Sequence, residues 1–363
     1  MSLLPSLRIA LVGPLPPPEG GMANQTRQLG RLLSDAGARV EIVQTNSAYR
    51  PGWVEAVPVL RAGFRLVPYL WRLWRAAGRS DLMHVMANSG WSWHLFAMPA
   101  IRIAAARSVP VVVNYRGGEA APFLQTAARS VKATLAHAAL LIVPSGFLRE
   151  VFSRHGIAAE IVPNIVDQAR FRPSAQAGTG GPHLIVARNL EPIYDNATAI
   201  RALALVLRRH PGARLSIAGT GPEREALAAL ARELGVADAV EFLGRLDREA
   251  MAALYARADL MLNPSTVDNM PNSVLEALSA AVPVVSTDVG GVPFLVEHGS
   301  TALLVPPRDP EAMALAVCSV TEDAALASRL RANGLVTAGR YTWEAVRAHL
   351  ESAYARAIAL RKC

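Results

Sequence analysis

Two acids set eight residues apart, Asp268 and Glu276, flank a turn and the start of a helical pattern in the segment PSTVDNMPNSVLEALSAAVPVV, residues 264–285. Asp268, Asn269 and Pro271 suit a turn, and Val274, Leu275 and Leu278 have helical spacing. Pro283 closes the pattern before the β-branched run Val284-Val285-Ser286-Thr287. A loop that runs into a helix N-terminus offers unpaired backbone N–H groups and a positive dipole end, which suit a phosphate. A carboxylate on each side suits polyhydroxylated sugars. The chemistry in reach is therefore the holding of a molecule that joins phosphate to sugar. The same residues allow another reading: Ser273-Val274-Leu275-Glu276 also fits a capping box, in which Ser and Glu satisfy helix N–H groups and nothing more.

Other candidates for chemistry sit where apolar runs end. Gly20-Gly21 closes a Pro-rich loop after the run Arg8 to Gly13. Arg116 lies in Asn114-Tyr115-Arg116-Gly117-Gly118-Glu119, where its guanidinium can hold an anion by a forked contact or simply make a surface salt bridge. Arg188, Gly219-Thr220-Gly221 and Gly244-Arg245 each follow a separate strand pattern. No Asp-x-Asp and no HExxH occurs anywhere, so no metal-binding pair is read from the chain.

These residues need a frame of alternating strands and helices. Strand patterns run over 8–13, 40–43, 82–86, 109–114 and 140–143, then over 183–187, 214–218, 240–243, 260–263, 284–287 and 302–305. Helical patterns lie between them, at 22–35, 196–209, 223–234 and 248–257 among others, and a last one covers 343–360. Such alternation argues for α/β architecture with parallel sheets covered on both faces, ligands being held by loops at the carboxyl ends of the strands. The Gly-, Pro- and Ala-rich segment 172–182 reads as a linker.

With 363 residues, two domains are expected. A composition 52% hydrophobic and 18% charged excludes disorder. Two cysteines, Cys318 and Cys363, give no disulfide framework and suit a reducing cytoplasm. The N-terminus lacks a signal-peptide pattern, and no apolar run approaches the length of a membrane span, so a soluble or surface-attached protein is expected. The formal charge of +8 is uneven: residues 1–170 hold a surplus of basic groups and the rest is near balance. The surplus is densest in AVPVLRAGFRLVPYLWRLWRAAGR, residues 56–79. Its arginines and tryptophans, over residues 60–79, fit an anionic membrane interface, or else a surface helix with aromatics turned into the core; Pro68 is expected to split it. No recognition motif points to nucleic acid.

The segment around Asp268 and Glu276 resembles the acid-x7-acid signature of family 4 glycosyltransferases, retaining enzymes of the two-domain GT-B fold, with Asp-Asn-Met-Pro replacing the usual Glu-Gly-Phe-Gly turn. Gly290-Gly291-Val292-Pro293 and Phe242-Leu243-Gly244-Arg245 are similar to further family segments. The resemblance implies two Rossmann-like domains facing a central cleft. Residues 1–170 would bind the acceptor and residues 171–342 the nucleotide sugar, with the helix in 343–363 crossing back to the first domain. It implies that Arg188 holds the donor diphosphate and Glu276 the ribose hydroxyls. Asp268 and the backbone of Asn269 and Met270 would face the donor sugar, and Asn272 and Ser273 would open the phosphate-facing helix. Gly20 and Gly21 would lie against the donor phosphate and the acceptor, Gly219 and Gly221 would line a strand-end loop, and Gly244 and Arg245 would lie near the base. Two departures stand out. Arg116 replaces a His near the reacting sugar, and the Lys usual about five residues after Arg188 is missing, with Ile193 at that offset and Tyr194 beside it.

The expected activity is thus metal-independent, cofactor-free transfer of a sugar from a nucleotide diphosphate donor. The acceptor would be a glycan or lipid-linked molecule at the cytoplasmic face of the membrane. A catalytically inactive GT-B module that binds glycans or a partner, docked on the membrane, is the alternative.

Overall fold

The structure, a computed structural model, describes residues 3–17, 20–47, 58–174 and 181–360, with side chains omitted over 58–63. Most of the expected linker and Cys363 lie outside the described residues, as do the side chains of 60–63 in the basic stretch. The chain divides into two compact units, Met1–Asn164 with Val346–Cys363, and Ile165–Ala345.

The first unit holds β1 (Arg8–Gly13), α1 (Gly21–Asp35), β2 (Arg39–Gln44), α2 (Pro58–Ala77), β3 (Leu82–Ala87) and α3 (Met98–Ala106). They are followed by β4 (Val111–Tyr115), α4 (Ala120–Leu135), β5 (Leu140–Val143), α5 (Gly146–Ser153) and β6 (Glu160–Ile161). The sheet order is β2-β1-β3-β4-β5-β6, all parallel. Its central strands are buried on both faces, which is why they read as unbroken apolar runs.

The second unit holds β7 (His183–Ala187), α6 (Asn196–Val206), β8 (Arg214–Ala218), α7 (Arg224–Glu233), β9 (Val240–Gly244) and α8 (Arg248–Arg257). Next come β10 (Leu260–Asn263), α9 (Asn272–Ser279), β11 (Val284–Thr287), β12 (Leu303–Val305), α10 (Pro310–Glu322) and α11 (Ala324–Gly339). The order is β12-β11-β10-β7-β8-β9, again parallel. One core, with Leu203, Leu215 and Met313, covers one face; another, with Tyr255, Val274 and Leu278, covers the other. Two parallel sheets flanked by helices make two Rossmann-like domains.

The last helix, α12 (Trp343–Leu360), buries Val346, Leu350, Ala353, Tyr354 and Ala357, a stripe of helical period. Its Glu351 accepts from the Leu3 N–H at 3.3 Å and its Arg356 pairs with Glu160, both in the first unit.

Pro68 does not split α2, which runs unbroken for 20 residues. The missing N–H is offset by packing: Tyr69, Leu73, Ala76 and Ala77 are buried on the inner side, and the Tyr69 hydroxyl donates to Phe96 O at 2.8 Å. The aromatics divide between two faces. Tyr69 goes inward, while Trp71 and Trp74 stand exposed, so they are not part of the core. Among the described residues, no helix is long and apolar enough to cross a membrane.

Candidate functional site

In an open parallel sheet, the crevice for a ligand forms where the strand order reverses direction. In the second unit that point lies between β7 and β10, the two strands that start the opposite halves of the sheet. Arg188 is the first residue after β7, and the loop after β10 carries Asp268. The two side chains form an ion pair, each with 11% of its surface exposed. Arg188 Nε also donates to Asn263 Oδ1 at 2.8 Å, and its guanidinium lies 5.1 Å from the Tyr194 ring centre. Asn263, wholly buried at the end of β10, is itself fixed: its amide donates to Ser286 Oγ at 2.9 Å, and Ser265 Oγ donates to its Oδ1 at 3.2 Å. Burial pushes the Asp268 carboxyl up from its usual range, while Arg188 and the Asn269 N–H pull it back. Arg188 is thus held on three sides, with the aromatic face of Tyr194 close to where the resemblance would put a second cation.

The capping box does not form. Pro271 occupies the N-cap of α9, so Ser273 is the second helical residue and its side chain caps nothing. Its hydroxyl is buried with no hydrogen-bond partner. Pro271 at the cap makes Asn272 the first helical residue, which puts Ser273 inside the helix. Glu276 bonds elsewhere too: the Tyr255 hydroxyl lies 3.2 Å from its Oε2 and donates to Ser273 O at 3.0 Å. Burial raises the Glu276 carboxyl to a pKa of about 7, against the pull of Tyr255, Arg248 and Arg188. The unbonded Ser273 hydroxyl lies in the first turn of α9, whose N–H groups lack intrahelical acceptors, and the half-buried acid Glu276 stands one turn further on; together they can receive a polar, anionic ligand. Asn269 and Met270 are both buried, Met270 as part of the core, which fixes the loop leading into α9.

Glycines let the strand-end loops close on one another. A Cβ at Gly219, where φ is +156°, would lie 2.0 Å from Arg188 O, and one at Gly221 2.2 Å from Leu190 O. The Gly219 N–H donates to Gly244 O at 2.8 Å. On the other side, a Cβ at Gly291 would lie 1.6 Å from Asn269 O, and the Gly291 N–H donates to Asp268 O at 2.8 Å. These glycines brace the backbone that carries Arg188 and Asp268. Arg245 is exposed after β9, two strands from β7 and so about 10 Å of sheet width away. Asn272 is half-buried as the first residue of α9.

In the first unit the strand order reverses between β1 and β3. Gly20 is the N-cap of α1, with extended backbone and open space where a Cβ would stand, and Gly21 begins the helix. Arg116, just after β4, is largely enclosed rather than a surface salt-bridge residue. Its Nε donates to Asn114 Oδ1 at 3.1 Å, and its Nη1 donates to Gln25 Oε1 at 3.2 Å and to Asn164 Oδ1. Burial lowers its pKa to about 10, which keeps it charged at neutral pH.

Among the described residues, one grouping could offer metal ligands: His210, Cys318 and Glu322. It lies at the amino end of β8, the sheet edge opposite Arg188, where its acid is already paired. His210 Nε2 meets Glu322 at 3.1 Å and Arg209 donates to Glu322 at 2.6 Å. Several site residues carried no signal in the sequence. Asn263 lies in an apolar strand, Tyr255 on a helix of mixed composition, and Gln25 and Asn164 far from Arg116 in the chain.

A family model described as "Glycosyl transferases group 1" matches residues 181–323, and one described as "Glycosyl transferase 4-like domain" matches 20–164. The chain is 30% identical over 382 residues to a protein of Mycobacterium tuberculosis named GDP-mannose-dependent alpha-(1-6)-phosphatidylinositol monomannoside mannosyltransferase, covering 94% of this chain and 97% of that one. It is 32% identical over 285 residues to a protein named glycogen synthase from the same organism; that match covers 75% of this chain but 66% of the relative's length. Among solved structures, sucrose-phosphate synthase from Thermosynechococcus elongatus superposes with a TM-score of 0.76 at 20% identity, over 97% of this chain and 100% of that one. Anabaena HepE in complex with UDP-glucose gives 0.74 at 19% identity, over 96% and 99%. With both Rossmann-like halves matched and one relative aligned along nearly its whole length, the chain belongs to the family 4-like glycosyltransferases of the GT-B fold.

Proposed function

We propose that the protein transfers a sugar, with retention and without a metal ion, from a nucleoside diphosphate sugar to a glycan or lipid-linked acceptor at the cytoplasmic face of a membrane. The observation that carries this reading is the anchored Arg188, at the strand-order reversal of the second sheet and on the same edge as the start of α9. In the transfer, the bond between the anomeric carbon and the diphosphate oxygen breaks, and the acceptor oxygen takes the sugar. The negative charge that develops on the leaving diphosphate is what a guanidinium and a helix N-terminus stabilise, with little reorganisation when both are held beforehand. Glu276, once ionised, offers two oxygens to a ribose diol. Asp268 and the backbone of Asn269 and Met270 face the sugar, and the Ser273 hydroxyl stands ready for a donor oxygen. Gly20 and Gly21 admit the acceptor or a phosphate close to the backbone, and Arg116 holds an anionic part of either substrate.

The names of the relatives support a nucleotide-sugar donor, and the phosphatidylinositol-based name supports a lipid-linked acceptor. The membrane part draws on α2, where Val67, Trp71 and Trp74 are 68%, 57% and 48% exposed along one stripe. A binding-only module is the second reading, favoured by Asp268 neutralising the cation that the donor needs.

Calorimetry with UDP-, GDP- and ADP-sugars, with and without a chelator, tests the reading. At least one donor is expected to bind, indifferent to chelator, and Arg188→Gln to weaken it by ten-fold or more. If no donor binds, the binding-only module is left; if the chelator abolishes binding, the metal-free scheme is wrong.

A further inference from the structure

Three polar side chains lie wholly buried in the apolar interior of the first unit: His84 in β3, Asn114 in β4 and Tyr354 in α12. The strands read Leu-Met-His-Val-Met-Ala and Val-Val-Val-Asn-Tyr, so each polar residue interrupts a run that burial favours as aliphatic. Polar groups in such a place are costly unless bonded to one another. Here they are. Asn114 meets His84 Nε2 through its amide nitrogen at 3.1 Å, and His84 Nδ1 lies 2.8 Å from the Tyr354 hydroxyl.

The direction of each bond follows from the cation at the end. Arg116 Nε can only donate, so the oxygen of the Asn114 amide faces Arg116 and its NH2 faces His84. An amide nitrogen also only donates, so His84 Nε2 accepts, and the single ring proton sits on Nδ1 and is given to Tyr354. Burial first, and the Arg116 charge second, hold the His84 pKa at about 3, in keeping with a neutral ring.

We propose that Tyr354, His84 and Asn114 are positioning residues for Arg116: their hydrogen-bond chain, its direction set from the guanidinium end, holds the Asn114 amide in place with its oxygen toward the guanidinium. Turned over, that amide would set donor against donor and displace Arg116 from Gln25 and Asn164. The functional consequence rests on the reading of Arg116 as a substrate-binding cation; the chain itself does not.

The test needs no substrate. In full-length protein labelled with nitrogen-15, the His84 imidazole is expected in the Nδ1–H form and neutral between about pH 5 and 8. Tyr354→Phe is expected to speed exchange of the Arg116 Nε–H with water by about ten-fold, while backbone amides of β3 and β4 keep their protection. Should Tyr354→Phe fail to fold, Asn114→Asp serves: a carboxylate opposite Nε2 only accepts, so a proton is expected on His84 Nε2 in that variant. An Nε2–H tautomer in the wild type, unchanged Arg116 exchange in Tyr354→Phe, or an Nε2 without a proton in Asn114→Asp each overturns the relay. Separately, unchanged nucleotide-sugar turnover in Arg116→Lys would remove the substrate role of Arg116 and leave the relay standing.

Discussion

Arg188 and Asp268, 80 residues apart in the chain, meet as an ion pair that is nearly closed to solvent. The pair joins the two strand-end loops on either side of the reversal in the second sheet. Breaking a buried pair from one side leaves an uncompensated charge, which costs about 3–5 kcal/mol. Arg188→Met is therefore expected to lower stability by an amount of that order, and Asp268→Leu similarly, whereas the double replacement recovers most of the loss. Donor affinity should fail to recover in the double variant. Denaturant titration of the three variants, alongside donor calorimetry, separates the structural part of the pair from its part in binding. Additive destabilisation in the double variant would show that the two charges do not compensate each other.

Glu276 sets a pH dependence of definite sign. Its folded pKa, about 7, lies above its unfolded value, because burial penalises the charged form. The folded state therefore holds the proton more tightly, so stability is lost as pH rises from about 4.5 to 7 and is level above that. The loss is at most roughly 3 kcal/mol. Glu276→Gln should abolish this slope. Donor binding runs the other way, since a ribose diol needs the carboxylate as acceptor: affinity should grow as pH rises toward 8. Parallel pH profiles of the melting temperature and of the donor Kd check both, and slopes of the same sign would refute the assignment.

The glycines divide into two kinds. Gly219 and Gly291 are tied to the backbone of Arg188 and Asn269, with no space for a Cβ. Alanine at either should distort the loops, lowering melting temperature and donor affinity together. Gly20 has nothing within 4 Å of the Cβ position and ordinary extended backbone. Gly20→Ala is expected to fold with unchanged stability, yet to reduce transfer at least ten-fold if a ligand comes against that helix start. Normal turnover in Gly20→Ala would place the ligand elsewhere.

Much of this frame was legible in the sequence because parallel strands, covered on both faces, must be apolar throughout. β1, β7, β8, β10, β11 and α12 fall on the residues where apolar runs and helical spacing put them. The acids at 268 and 276 were visible by type, but their partners were not. Tyr255 lies 21 residues from Glu276 and reaches it only because α8 and α9 share a face of the sheet. His84, Asn114 and Asn263 were hidden by their strands: a single polar residue in an apolar run reads as noise until its partner is seen. Ser273 admitted two readings in the sequence, a helix cap or a ligand contact. Its spacing to Glu276 fits a capping box, yet Pro271 takes the cap and turns the serine into an unbonded group inside the helix. Pro68 misled because burial of Tyr69 and Leu73 outweighs the one hydrogen bond that proline removes.

The outward face of α2 gives the last expectation. Trp71 and Trp74 are exposed beside basic groups, with Arg75 stacked 4.5 Å from the Trp71 ring centre and Arg107 4.8 Å from that of Trp74. Tryptophan gains from an interface where its ring meets acyl chains and its N–H meets water, and the arginines add attraction to anionic headgroups. Trp71→Ala with Trp74→Ala should lower binding to phosphatidylglycerol vesicles by ten-fold or more at any salt. Arg72→Gln with Arg75→Gln should instead flatten the salt dependence, since charge attraction is screened and ring insertion is not. Neither pair belongs to the unit that holds Arg188, so hydrolysis of a soluble donor should be unaffected. Vesicle sedimentation over a salt series distinguishes the two contributions, and equal binding of wild type and the double tryptophan variant would remove the membrane from the proposed function while leaving sugar transfer intact.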